Sequence, residues 1–224
     1  MISIKFVDKM GDDFRVFEAA KATLGGEEES GFVRGETDPS RLINFLAREK
    51  HITPFCHPHV TFECEAPIAI ARQLGKHQVG FRWNERSMRY KDSVIDVYVP
   101  DMFRGRPDNL HSGSADIDVG DKNISGDYAT WTVKKEYELA IKTAISSYEV
   151  LLKAGLAPEQ ARFVLPQGMI TRWIWTGSLY GWYEVWRQRS SEHAQYEARL
   201  FASQLDTHMS SLFPIAWEAL KENK

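Results

Sequence analysis

Apolar residues recur at two different periods along this 224-residue chain. Residues 2–7 read as a first strand. Residues 57–65 alternate cleanly, with Val60, Phe62 and Cys64 on one face, which predicts a half-buried strand and a buried, inert Cys64. Residues 94–99 alternate again and stop at Pro100. Helical spacing appears elsewhere. Asp38-Pro39-Ser40 predicts a helix start, because Asp caps and Pro fits the first turn, and the helix would send Leu42, Ile43, Phe45 and Leu46 to the core. Pro67 opens a second helix through Ile68, Ile70, Leu74 and His77, on which Gln73, Lys76 and His77 would share one face. A long helix carries Tyr137, Ala140, Ile141, Ala144, Ile145, Tyr148 and Leu152 and ends at Gly155. Pro158 restarts a short helix, and two more helical segments follow, at about 168–188 and 191–220. In the last, Ala198, Phe201, Ala202, Leu205, Met209 and Leu212 form a stripe. Between strand and helix, residues 101–126 are rich in Asp, Gly, Asn and Ser and predict a long surface loop. Strands early and helices late predict one α+β domain over residues 1–224: a central, mainly antiparallel sheet with helices packed on it and a helical C-terminal half.

Composition narrows the function classes. The chain is 43% hydrophobic and 26% charged, as ordinary globular domains are, and its net charge of -3 offers no global attraction to nucleic acid or membrane. An anionic ligand therefore requires a local cluster of cations. No apolar run approaches the roughly 18 residues of a membrane span, and the N-terminus has no signal-peptide pattern. Two cysteines make a poor disulfide framework, which predicts a reducing, cytoplasmic setting. Seven tryptophans point first to core or subunit interface and only second to a flat-ring ligand.

Candidate chemistry concentrates in Gln73-Leu74-Gly75-Lys76-His77-Gln78 and Asn84-Glu85-Arg86-Ser87-Met88-Arg89-Tyr90. Amides, cations, a histidine, a carboxylate and a hydroxyl in so short a span are costly to fold unless a polar ligand satisfies them. Neither glycine-rich phosphate loop, Gly-x-Gly-x-x-Gly or Gly-Lys-Ser/Thr, occurs, so side chains must hold any nucleotide. Arginine binds phosphate bidentately, and Gln73 suits the amide-like edge of a pyrimidine.

Four blocks in order resemble flavin-dependent thymidylate synthases: His51-Ile52-Thr53-Pro54-Phe55; the segment just described, where that family has Arg-His-Arg before Asn-Glu-x-Ser-x-Arg-Tyr; Ala161-Arg162-Phe163-Val164-Leu165-Pro166; and Trp175-Thr176 followed by Arg189 and His193-Ala194-Gln195-Tyr196-Glu197. The resemblance implies reductive methylation of dUMP to dTMP. Methylenetetrahydrofolate would give the carbon, and FAD, reduced by NADPH, would carry the hydride. It implies a dUMP site from Gln73, Lys76, Glu85, Arg86, Ser87, Met88, Arg89, Arg162 and Arg189, with Arg189 as catalytic residue beside N3 of uracil. For FAD it implies His51, Thr53, Lys76, His77, Gln78, Glu85, Ser178, Tyr180 and Glu184. It also implies a homotetramer with shared active sites and no resident metal. The chain departs from the pattern at Lys76 and Gln78, which replace arginines, at Ser178 and Tyr180, where Asn and Arg are common, and at Cys56, where an acid is frequent.

Two other readings stay open. A pyrimidine-nucleotide hydroxymethylase would finish the transfer with water rather than hydride. A noncatalytic nucleotide- or metal-binding module would use Cys56, His57, His59 and His51, though their spacing matches no standard zinc site. Cys56 beside His57 is also a nucleophile candidate.

Overall fold

The computed structural model describes residues 2–22, 37–87, 95–108, 113–126 and 130–223. Four strands form one antiparallel sheet in the order β1 (Ser3–Met10), β2 (His59–Pro67), β6 (Ile170–Ser178) and β3 (Phe81–Glu85). The predicted α+β class and antiparallel sheet are observed. The sheet holds together because two alternating strands pair in phase. Val60, Phe62, Cys64 and Ala66 of β2 face Gly177, Trp175, Trp173 and Thr171 of β6, and all eight are buried. On the opposite face Thr61 and Thr176 share a hydroxyl hydrogen bond of 2.9 Å and Glu65 pairs with Arg172.

The expected helix at 168–188 is corrected by β6. Its first half alternates Thr171, Trp173, Trp175 and Gly177 inward with Arg172 and Ile174 outward, and that two-residue period with β-branched and aromatic residues makes a strand. The chain then turns into α6 (Leu179–Arg189), capped by Ser178, whose Oγ accepts from the Gly181 N–H at 3.1 Å. Gly177 is required by its partner strand, since a Cβ there would lie 2.1 Å from the Phe81 ring. The segment expected at 191–220 is two helices, α7 (Tyr196–Leu212) and α8 (Ala216–Glu222), broken at Phe213-Pro214. Asp13, at the start of α1 (Asp13–Lys21), accepts from the N–H groups of Ile215 and Ala216 and ties the two ends of the chain together.

Other boundaries also move. β1 runs on to Met10. In α2 (Ser40–Arg48) Asp38 accepts from the Ser40 N–H and hydroxyl as expected, but Phe45 faces out, and Ile43, Leu46 and Ala47 face in. Pro67 precedes α3 (Ile68–Leu74) as expected, and Gly75 ends it. The alternation at 95–99 yields one isolated bridge, Val97 to Met169, rather than a strand; Val94 lies outside the described residues. In place of a plain loop, residues 104–118 include a small hairpin of β4 (Arg104–Gly105) and β5 (Ala115–Asp118). The long helix α4 (Val133–Lys153) and the short α5 (Pro158–Ala161) form as expected, with Gly155 at φ +89°. Only Tyr148 of α4 is buried.

Candidate active site

The end of α3 decides the geometry. Because the helix stops at Leu74, Lys76 and His77 lie on the turn beyond it rather than on a shared face with Gln73. This turn is a wall between two recesses. Lys76, His77, Gln78 and Phe81 line both. One recess, of about 870 Å³, continues over Arg72, Arg82, Trp83, Glu85 and Trp175. The other, of about 610 Å³, continues over Cys56, His59, Ser178, Tyr180, Glu184 and Gln188. Of the expected flavin residues, Lys76, His77, Gln78, Ser178, Tyr180 and Glu184 thus meet in one cavity.

Arg189, at the end of α6, and Gln73 line neither recess themselves, but the Arg189 side chain reaches this wall. Its Nε donates to His77 Nε2 and its Nη2 to the Gln73 carbonyl, each at 3.2 Å. A guanidinium only donates, so His77 Nε2 must accept; the imidazole is neutral and carries its proton on Nδ1. Burial, and then the Arg189 charge, push the His77 pKa down to about 4, in agreement with that tautomer. Burial also lowers the pKa of Arg189, which nonetheless keeps its charge.

Glu85 is held at the edge strand β3: Thr171 Oγ1 donates to one carboxylate oxygen at 2.7 Å and Trp83 Nε1 to the other at 3.3 Å. Glu184 accepts two hydrogen bonds from Arg187, which hold its carboxyl below the usual range. Ser178 serves as a helix cap, so its Oγ already accepts one hydrogen bond while its O–H keeps its donor. For a flavin, the smaller recess offers the Lys76 cation, the His77 Nδ1–H donor and the Phe81 and Tyr180 rings, a donor set that fits a flat polar heterocycle.

Several expected residues lie elsewhere. His51 and Thr53 are exposed around the turn at Thr53–Cys56 and line neither recess. Arg162 sits on the turn after α5, its Nε donating to the Glu159 carbonyl, and also lines neither. Arg86 and Ser87 are exposed past the end of β3, and Met88 and Arg89 lie outside the described residues. Cys56 donates to the Ile52 carbonyl and burial raises its pKa, the reverse of an activated nucleophile. Among the described residues no three His, Cys, Asp or Glu side chains gather as a metal site would need. Gln195 was not expected in the site, yet its Oε1 accepts from Gln73 Nε2 at 2.5 Å. Its place in the His193–Glu197 block was the only signal.

Comparison with known proteins places the chain in a family. The family model described as thymidylate synthase complementing protein matches residues 5–215. A flavin-dependent thymidylate synthase of Kosmotoga olearia is 34% identical over 221 residues, 96% of this chain and 88% of that protein. One from Thermus thermophilus is 30% identical, over 98% of this chain and 76% of its own length. The crystal structure of a UMP/dUMP methylase, PolB from Streptomyces cacaoi bound with 5-Br dUMP, superposes with a TM-score of 0.82 at 27% identity, covering 99% of this chain and 95% of that one. The chain belongs to the thymidylate synthase complementing protein family, together with these flavin-dependent thymidylate synthases.

Proposed function

We propose that the protein methylates dUMP reductively to dTMP, taking the carbon from methylenetetrahydrofolate and using FAD, reduced by NADPH, as hydride carrier. The observation that carries the reading is the Lys76-His77-Gln78 wall with Arg189 fastened to it between two recesses. The nucleotide belongs on the Glu85 and Trp83 side and the flavin on the Tyr180 and Glu184 side. When bound, FAD supplies the hydride that completes the methyl group. The chain's own residues position and polarise. With Nε and one Nη2 hydrogen engaged by the protein, Arg189 keeps its Nη1 edge for the pyrimidine. There its charge stabilises negative charge on the ring and raises electron density at C5. Lys76 supplies a cation at the junction of the recesses, and Gln73 reads the nucleotide as an amide. No protein nucleophile is required, in keeping with the protonated Cys56 thiol.

The reading includes a homotetramer with shared sites. One observation supports it: α4 carries exposed apolar residues, among them Leu139 and Val150. Met88 and Arg89 would complete the phosphate site beside Arg86 and Ser87. His51 and Thr53 would contribute to the flavin from the rim of the neighbouring turn. Free Cys56 and Cys64 fit a cytoplasmic setting, and among the described residues no helix is long and apolar enough to cross a membrane.

The test is mass analysis of the nucleotide after incubation with dUMP, methylenetetrahydrofolate, FAD and NADPH under low oxygen. Thymidylate supports the reading; a hydroxymethyl product or unchanged dUMP overturns it. Arg189→Ala should retain FAD and lose about 10²–10³ in turnover, the usual effect of removing one charge-stabilising donor. Wild-type turnover in that variant would remove Arg189 from the mechanism.

A further inference from the structure

We infer that Gln195 and Glu197 fix the hydrogen-bonding polarity of Gln73, so that Gln73 meets the nucleotide as an acceptor and selects a ligand that presents a donor there. The inference rests on the reading that Gln73 contacts the nucleotide. A glutamine amide has a donating and an accepting end of nearly the same shape, and which end faces a ligand is settled by what holds the other. Here the holding chain is continuous. Gln73 Nε2 lies 2.5 Å from Gln195 Oε1, and Gln195 Nε2 lies 2.9 Å from Glu197 Oε2.

The direction follows from the last member. A carboxylate only accepts, so Gln195 must turn Nε2 towards Glu197 and Oε1 towards Gln73. Gln73 then gives one Nε2 hydrogen to Gln195, and its Oε1, on the other limb of the amide, is the acceptor left for a ligand. A second donor converges on the same carboxylate. The Tyr98 hydroxyl bonds to Glu197, and burial together with nearby negative charge pushes its pKa up to about 12, so it remains protonated. Neighbouring packing holds the relay in place. Arg104 of the hairpin lies over the Tyr196 ring at 3.8 Å, and Gln195 and Glu197 line a cavity of about 460 Å³ with Met102, Phe103 and Arg104. The Gln73 backbone is pinned by Arg189. Gln195 and Glu197 are therefore positioning residues. The donor they select is a ring N–H or a sugar hydroxyl.

The experiment is equilibrium titration of dUMP, dCMP and the 3′-deoxy analogue of dUMP into the flavin-loaded full chain, for wild type, Glu197→Gln, Gln195→Met and Gln73→Ala, and for each relay variant combined with Gln73→Ala. Gln195 is solvent-exposed, so Gln195→Met tests the relay even if Glu197→Gln disturbs the fold. Each relay variant should weaken dUMP binding about tenfold, the scale of one misdirected hydrogen bond. Each should also narrow the preference for dUMP over the analogue that lacks the donor, dCMP for a ring N–H and the 3′-deoxy nucleotide for a sugar hydroxyl. In the Gln73→Ala background neither should weaken binding further. Equal weakening with and without the Gln73 side chain, or unchanged dUMP affinity and preference in both variants, overturns the relay. Wild-type dUMP affinity in Gln73→Ala overturns the placement of Gln73 at the nucleotide, whatever the relay does.

Discussion

Trp173, Trp175 and Trp182 on β6 and α6 are covered on every side within the chain, whereas Leu139 and Val150 on α4 stand 46% and 61% exposed. Both regions are rich in apolar residues and both have regular periodicity. They differ in what lies opposite. The inner face of the sheet meets α3, α6 and α7, and its rings interlock: Phe81 and Trp175 at 4.7 Å, Trp175 and Trp182 at 4.7 Å, Phe62 and Trp182 at 5.0 Å. Helix α4 meets α5 and the turn after it, and these leave most of its length uncovered. The same apolar pattern thus records burial in one region and, in the other, a surface that the described residues leave uncovered. Assembly with further copies supplies that cover in the proposed reading.

The comparison breaks most directly in the sheet. Trp175→Ala should cost about 3–5 kcal/mol of unfolding free energy, the range for truncating a buried large aromatic, as read by urea unfolding. A loss under about 1 kcal/mol would mean that the interlocked rings do not anchor the fold. In α4, Val150→Asp should change the chain's own stability by under about 0.5 kcal/mol, as exposed substitutions do, while lowering the particle mass seen by light scattering. An unchanged mass would leave the exposed stripe without the role assigned to it.

That stripe also shows how far the sequence could be read. The spacing of Tyr137 to Leu152 predicted the helix, and Val60, Phe62 and Cys64 predicted β2, because each pattern fits one period only. Residues 173–175, Trp-Ile-Trp, are apolar in a row, and such a run suits a helix as well as a strand; only pairing with β2 and β3 decides it. That Lys76, His77 and Gln78 present their side chains together was legible. Their place on a turn was not, because the stop at Gly75 depends on the chain folding back to β3. Gln195 lies 122 residues from Gln73, and no local pattern reports such a contact.

The seam between the two recesses gives a pH test. His77 stays neutral in the fold down to about pH 4, while an unfolded chain protonates it near its ordinary value of 6.5. The unfolded state therefore binds the extra proton first. Stability should fall as pH drops from about 6.5 towards 4 and lose nothing more from this group below that. Melting temperatures of wild type and His77→Gln across this window check the assignment, since the variant should show the shallower fall. The smallest effect belongs to Lys50, the only described residue other than glycine with positive φ, at 56°. Lys50→Gly relieves that left-handed backbone against a more flexible unfolded chain, for a net gain of about 0.5 kcal/mol by thermal melting.

The indoles of Trp83 and Trp173 lie parallel within 16° at 4.4 Å, and Trp83 lines the larger recess beside the Lys76 wall. Two chromophores this close share their excited states. The protein should therefore show coupled-indole features in its ultraviolet circular dichroism, and Trp83→Phe should weaken them while the Trp175 and Trp182 pair keeps its share. Because the Trp83 and Trp173 pair abuts the wall that the flavin is proposed to share, its emission should be quenched as cofactor is added. The protein thus carries an intrinsic optical gauge of flavin loading that needs neither label nor turnover.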